Sequence, residues 1–381
     1  MRIVDYDEFC SLEFAGEWKR LLRRQGTYDI GNTYEWNRCW WESYREEGPW
    51  KKHWFLLAHE TRGEIDAIFP LVIRSRVGIR IVEFLGQSGG FMTDYLGSIG
   101  AADDRDRAVK ELLDFLLANT DRWDLVSLRL LAWSNELPWY LRNMCLPQFA
   151  GKIQWKTEIP GYYVAVQLPR GFDEYLSSLG KRTRADVRRY LRIAGENGAA
   201  LAVYRGDKVL EHVEVLCDLN SENWQVLKDS RGRRFMTEVS HRLVSAEEPL
   251  LLGVFHIGGQ PYGAVQGFET ASTCFLHTAG VVRRQIGGMS PGTTMYAMLI
   301  RSLIGRGLRT LDLSPGLEEY KLRLGGTAQP FYHLQLSHQR SRIARWRAFN
   351  WSRNAFYGAR KRTRAQLRKL CNWKTDASST Q

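Results

Sequence analysis

Apolar residues recur at helical spacing between residues 6 and 23, through Phe9, Leu12, Trp18, Leu21 and Leu22, which predicts a helix there. A second helix is predicted over 32–44, where Trp36, Trp40 and Trp41 follow an Asn32 or Thr33 cap. The pattern then changes to strand-sized apolar runs over 53–60, 64–74 and 79–86, separated by polar or glycine turns, and reads as a meander. A helix over 103–119 and short strands over 124–130 and 159–168 follow.

Helices resume over 172–178 and 182–197, followed by a strand over 201–204 and helices over 208–226 and 232–245. The meander then recurs over 250–258, 259–269 and 274–282. A glycine loop leads into a helix over 293–306, and a strand (309–313), a helix (317–325) and a strand (330–337) close the series. Two halves of about 165 residues thus share one order of elements without a residue-level repeat, so the duplication is architectural. The expected domains are residues 1–170, 171–338 and a tail over 339–381.

The chain has 381 residues, 44% hydrophobic and 25% charged, as in a soluble globular protein with a core. No apolar run approaches the roughly 18 residues of a membrane span. The first ten residues hold Asp5, Asp7 and Glu8 and no apolar core, so no secretory signal is read and the cytoplasm is the expected location. The six cysteines form no CxxC pair and fit no zinc spacing, so they are expected to be small buried apolar residues. The histidines show no HExxH or facial-triad spacing, so no metal is expected, and the absence of GxSxG argues against a serine hydrolase.

Charge is concentrated at one end. Of the net +12, residues 339–381 carry +11, from twelve Arg and Lys against Asp376 alone. The rest is nearly neutral, unlike a nucleic-acid reader whose folded domain bears the positive field. Ile343, Trp346, Phe349 and Trp351 interleave these charges. That mixture fits an amphipathic helix at an anionic membrane surface, contact with a nucleic-acid backbone, or a helix docked on the body.

Four stretches could carry chemistry. In 283–313, Arg283 and Arg284 precede Gly287, Gly288, Ser290 and Gly292, and Thr293 opens an apolar helix. Such a loop suits a phosphate or pyrophosphate, or is a tight strand-to-helix turn. In 311–326, Lys321 lies on a short helix with Glu318, Glu319 and Tyr320, where it could stabilise an oxyanion or simply pair with an acid. In 84–97, a glycine-rich loop presents Asp94 and Tyr95, with Asp94 either a general base or a turn residue. In 181–192, Arg184, Arg188 and Arg192 share a helix face, either an anion clamp or a solvated face. Trp40, Trp41 and Trp224 could line an acceptor cleft.

These residues together resemble the GNAT acyltransferase superfamily, in particular its CelD-like group of cellulose and exopolysaccharide biosynthesis, related to the Fem peptidoglycan-bridge transferases. The resemblance spans most of residues 30–338. It is carried by Trp40–Trp41, by Ile68–Leu71, by FLG…DY ending at Tyr95, by KRTRADVRR from Lys181, by SPG at Ser290, and most specifically by LDLSPGLEEYKLRLGG from Leu311. It implies a mixed α+β fold of two tandem GNAT-like domains, as in the Fem double acyltransferase fold, plus a basic helical tail. It also implies an N- or O-acyltransferase that uses acetyl-CoA or another acyl-CoA, without a metal, on an amino sugar or glycan intermediate of envelope synthesis.

In GNAT enzymes an Arg/Gln-x-x-Gly-x-Gly/Ala loop cradles the coenzyme A pyrophosphate. Here Arg284, Gly287 and Gly288 keep the first half, and the pattern departs at Met289. By this resemblance Lys321 and Asp94 flank the reacting carbonyl. Arg284, Gly287, Gly288, Ser290, Gly292 and Thr293 hold the donor, and Trp40, Trp41, Tyr95, Arg184, Arg188 and Tyr320 face the acceptor. Two alternatives stand beside it: an aminoacyl-tRNA donor, as in Fem relatives, with the tail on the tRNA, and a non-catalytic glycan-binding component of a synthase complex. A place at the inner face of the cell membrane is the corresponding expectation for the tail.

Overall fold

The computed structural model describes residues 1–100, 102–130, 146–149, 151, 153–222 and 227–338. The tail over 339–381 and Trp224 lie outside them.

The first helical stretch is two helices, α1 (Tyr6–Phe9) and α2 (Leu12–Gln25). Ser11 divides them, its hydroxyl accepting from the Phe14 N–H and starting α2 afresh. After β1 (Arg2–Val4) and these helices comes α3 (Tyr34–Tyr44), capped by Thr33 through the Trp36 N–H.

The first meander is five strands: β2 (Lys51–Trp54), β3 (Leu56–Thr61), β4 (Glu64–Phe69), β5 (Leu71–Arg76) and β6 (Ile79–Phe84). Two runs expected as single strands break at Phe55 and at Pro70, which has no N–H for a ladder. The breaks let the chain change sheets. β3 and β4 join β1 and β7 (Ile99–Gly100) in a four-stranded sheet, whereas β2, β5 and β6 belong to an eleven-stranded one.

α4 (Ala102–Ala118), β8 (Leu125–Leu130) and β9 (Gln154–Gln167) complete the first half. The second half runs α5 (Phe172–Ser178), α6 (Lys181–Glu196), β10 (Ala200–Arg205), α7 (Val213–Ser221), α8 (Ser230–Ser245), β11 (Leu250–Ile257), β12 (Gln260–Thr270) and β13 (Thr273–Val281). It ends with α9 (Pro291–Gly305), β14 (Thr310–Pro315), α10 (Glu319–Arg323) and β15 (Thr327–Ser337). The helix expected over 208–226 is shorter, a 3-10 turn (Gly206–Val209) followed by α7.

The large sheet has the order β10-β11-β12-β13-β14-β9-β15-β8-β6-β5-β2. β13 pairs with β14 in parallel, and so does β6 with β8. Each half therefore holds one strand–helix–strand crossover, β6-α4-β8 and β13-α9-β14, at the same place in its order. The strands after each crossover are exchanged: β9 pairs with β14, and β15 pairs with β8. A boundary at residue 170 separates the halves in sequence but cuts β9 from both strands it pairs with, β14 and β15.

Apolar residues fill both faces of the second-half sheet. α5, α6 and α9 pack on one face. On the other, Trp36, Trp40 and Tyr44 of α3 pack with Phe235, Met236 and Val239 of α8, so one core spans both halves. Cys39, Cys217 and Cys274 are buried free thiols and Cys10 is half-buried, while Cys145 and Cys371 lie outside the described residues. Among the described residues no helix is long and apolar enough to cross a membrane.

Candidate functional site

β13 and β14 pair over three positions only: Thr273 with Thr310, Cys274 with Leu311, and Phe275 with Asp312. Beyond Asp312 they separate, and both carry a bulge there. His277 is the extra residue of β13, since Gln266 opposes Thr278 while Gly267 opposes Leu276. The register of β14 against β9 shifts between Asp312 and Pro315, and Ser314 has φ 64°. A bulge bends its strand and releases a residue from the ladder. The split opens into a cavity of about 650 Å3, walled by residues 276–279 of β13, 313–315 of β14, and Tyr296, Tyr320 and Lys321. The first half supplies the facing wall, residues 89–92 and Asp94.

The open edges keep some of their polar groups engaged. Asn220 of α7 donates its side-chain amide to the Ala279 carbonyl at 2.7 Å, and the Ser314 hydroxyl donates to the Leu276 carbonyl. α7 reaches this strand because of Gly280, where a Cβ would lie 2.2 Å from the Asn220 nitrogen.

Asp94 is presented by the loop after β6. The Trp36 indole donates to the Thr93 hydroxyl at 2.9 Å, the Trp40 indole to the Phe91 carbonyl at 2.7 Å, and the Asn32 amide to the Tyr95 carbonyl at 3.0 Å. Gly90 has φ 59°, and a Cβ there would meet the Tyr44 ring at 2.3 Å, so the loop lies flat on α3 only with glycine at this position. The Asp94 side chain accepts no hydrogen bond among the described residues. Burial pushes its pKa up to about 6, against the pull of Lys321 and Arg129. Near neutral pH it is an ionised proton acceptor facing the cavity.

Lys321 is 3% exposed. Its ammonium donates to the carbonyls of Ser314 (3.0 Å), Pro315 (2.8 Å) and Gly316 (3.4 Å) and pairs with Glu318 at 2.9 Å. Its protons thus fasten the turn after β14, and its charge reaches the cavity without a spare donor. Tyr320 stacks on Tyr296, ring centroids 5.5 Å apart, and both face the cavity.

Two cavity residues, His277 and Asn220, and one buried behind the cavity, Asp312, were not anticipated. His277 stacks on Phe91 at 5.6 Å and meets the Trp36 edge at 4.6 Å. Its Nε2 is buried without a partner among the described residues, and burial pushes its pKa down to about 4, so it is neutral near pH 7. Asn220 is the second. Asp312, at the vertex of the split, is the third. Its Oδ1 accepts from the Tyr95 hydroxyl and from the Ser314 N–H at 2.8 Å, and burial lifts its pKa to about 7. The one available signal was a polar residue inside an otherwise apolar strand, as in LDL and FLHT.

The remaining expected residues are elsewhere. Trp40 and Trp41 are core side chains, 1% and 6% exposed, that hold the Asp94 loop and pack on Trp54 respectively. Tyr95 is buried, with its hydroxyl on Asp312. Arg184 and Arg188 are on α6, across the sheet from α3 and α7. Arg184 donates to the Leu179 carbonyl and Arg188 is exposed, as suits the polar face of an amphipathic helix. Residues 286–289 are a closed two-residue hairpin, with reciprocal backbone bonds between Ile286 and Met289 and with Gly287 and Gly288 at φ 57° and 80°. The two glycines meet a turn requirement there. Ser290 takes the N-cap position of α9 without a side-chain bond to its N–H groups, ahead of Pro291, Gly292 and Thr293, and Arg284 is exposed in the chain before it. Among the described residues no group of three or more His, Cys, Asp or Glu could hold a metal ion.

Residues 181–322 match a family model described as an acetyltransferase (GNAT) domain. The fold is similar to three solved structures. FemX is 12% identical with a TM-score of 0.54, covering 85% of this chain and 94% of that one. The C-terminal domain of a protein described as a lysylphosphatidylglycerol synthetase from Agrobacterium fabrum is 11% identical with a TM-score of 0.51, covering 88% and 95%. L-PGS from Bacillus licheniformis is 10% identical with a TM-score of 0.50, covering 86% and 92%. No curated protein matches the sequence. The expected mixed α+β fold is the observed one, shared with FemX, and the acetyltransferase domain matched in the second half supports an acyltransferase.

Proposed function

We propose that the chain transfers an acyl group from acyl-CoA to an amine or hydroxyl of an amino sugar or glycan intermediate in envelope or exopolysaccharide synthesis, as expected of the CelD-like group. The observation that carries this reading is the split between β13 and β14, which opens into a cavity whose other wall presents Asp94. GNAT domains in general use acyl-CoA. The residues present suit such a donor: the split is an open slot for an extended arm. The start of α9, with Arg283 and Arg284 exposed beside it, suits its phosphates.

When bound, acyl-CoA supplies a carbonyl already activated as a thioester. Asp94 would accept the proton that the acceptor amine or hydroxyl releases as its new bond to the acyl carbon replaces the bond to sulfur, and that proton would then go to the departing thiolate. The bulge at His277 interrupts the regular pairing of β13 beside the split, and a backbone N–H freed there would meet a developing negative charge. Lys321 keeps the turn at 314–316 in place and adds a positive field. Phe91 and His277 line the cavity and pack with Trp36, which gives this wall an aromatic surface.

The test is transfer of acetyl from labelled acetyl-CoA to a panel of amino sugars, read by mass spectrometry. Acetylated sugar with the intact chain and none with Asp94→Asn supports the reading. No product with any acceptor removes it.

The closed hairpin at 286–289 favours a second reading, in which the donor is an aminoacyl-tRNA and no pyrophosphate loop is needed. FemX and the lysylphosphatidylglycerol synthetase share this fold. Salt-sensitive tRNA binding that is lost on removing residues 339–381 supports it. In the first reading the same +11 tail holds the enzyme peripherally at an anionic membrane near a lipid-linked acceptor. Equal binding of full-length and tail-less chains to anionic vesicles removes that role.

A further inference from the structure

Two residues with side chains hold left-handed backbone next to the cavity: Ser314, which lines it, with φ 64°, and the buried Tyr95, beside Asp94, with φ 51°. That conformation is unfavourable for any residue with a Cβ and persists only where its surroundings impose it. The two positions belong to opposite walls. Tyr95 directly follows Asp94 on the first-half loop. The Ser314 carbonyl accepts from Lys321 at 3.0 Å, and its hydroxyl donates to Leu276 of β13.

A single oxygen serves both. Oδ1 of Asp312 accepts from the Tyr95 hydroxyl and from the Ser314 N–H at 2.8 Å. Asp312 is also the last residue of β14 paired with β13, and it is fully buried. Its Oδ2 is buried without a partner among the described residues, so the carboxyl is not there to satisfy a wider polar network. Tyr95 is wedged by Tyr163 and Phe275, ring centroids 5.9 and 5.6 Å away, which leaves its hydroxyl directed at Asp312.

We propose that Asp312 is the positioning residue that sets the two walls of the cavity in register, tying the backbone behind Asp94 to the bulge that Lys321 fastens. It touches neither substrate nor reacting atoms and acts through Tyr95 and Ser314. Burial lifts the carboxyl to about 7, while the bonds from Tyr95 and Ser314 favour its ionised form and pull the other way. The significance of this link rests on the acyl-transfer reading, but its existence does not.

Hydrogen exchange on the full chain, without any substrate, tests it. Asp312→Leu fills the same space and accepts no hydrogen bond, whereas Asp312→Asn keeps an acceptor oxygen. The expected result is exchange about tenfold faster or more in both 86–97 and 313–321 for Asp312→Leu, with near-original rates restored in Asp312→Asn. Tyr95→Phe is expected to speed 86–97 alone. Loosening of 313–321 alone in Asp312→Leu, or Asp312→Asn as damaging as Asp312→Leu, overturns the proposal. Should Asp312→Leu not fold, unchanged exchange of 86–97 in Tyr95→Phe overturns it, and faster exchange there with Asp312→Asn unaffected upholds it. Acetyl-CoA titration of the intact chain reports separately on the acyl-transfer reading, so the two can fail independently.

Discussion

Asp94 owes its chemistry to what surrounds it. Burial raises its pKa to about 6, and Lys321 and Arg129 limit the rise. Only the ionised form accepts a proton, so the transfer rate is predicted to climb as pH rises through about 6 and to level off above it. Asp94→Asn should lower kcat by roughly 10²–10⁴, the usual contribution of general base catalysis, and leave acetyl-CoA affinity unchanged. Steady-state rates across this pH range check both. Asp94 and Lys321 stand out in the sequence because glycines and a Ser-Pro-Gly turn frame them, and both line the cavity. Asp312 and His277 were not. Each is one polar residue in an apolar strand, and the Tyr95–Asp312 bond joins positions 217 apart, a pairing no local pattern records.

At the scale of elements, the cavity exists because two strands bulge where they part and one helix sits directly on the strand edge. Gly280 permits that seat, since a Cβ would lie 2.2 Å from the Asn220 backbone. Gly280→Ala is predicted to push α7 off β13 and destabilise the chain by about 1–3 kcal/mol, read as a lower midpoint in urea. It should also weaken the bond from Asn220 to Ala279. Most helices were readable from 3.6-residue spacing and caps such as Thr33, but the division at Ser11 and the short α7 were not. The bulge at His277 was not, because a single extra residue leaves the apolar pattern of β13 nearly unchanged. The strand breaks at Phe55 and Pro70 were missed for a related reason: an apolar run reads the same whether it stays in one sheet or passes between two.

Across the whole molecule, the doubled order of elements was visible as two meanders, and the two crossovers β6-α4-β8 and β13-α9-β14 are its structural counterpart. The exchange of β9 and β15 between halves was not visible, because pairing partners are set by topology. A chain of residues 171–338 lacks β9 and leaves β14 with one edge bare. It is predicted to aggregate or stay unfolded by circular dichroism, whereas residues 1–338 should fold. Independent folding of 171–338 would show that the exchanged strands are dispensable. The exchange also explains how Asp94 of one half and Lys321 of the other keep fixed places around a single cavity.

The central claim is that the split between β13 and β14 receives the arm of an acyl donor. Calorimetric titration of acetyl-CoA into the intact chain and into Ala279→Trp, which fills the slot from β13, tests it most directly. The account predicts saturable binding to the intact chain and its loss in Ala279→Trp with the melting temperature unchanged. Absence of binding to the intact chain, or equal affinity in both, would contradict it.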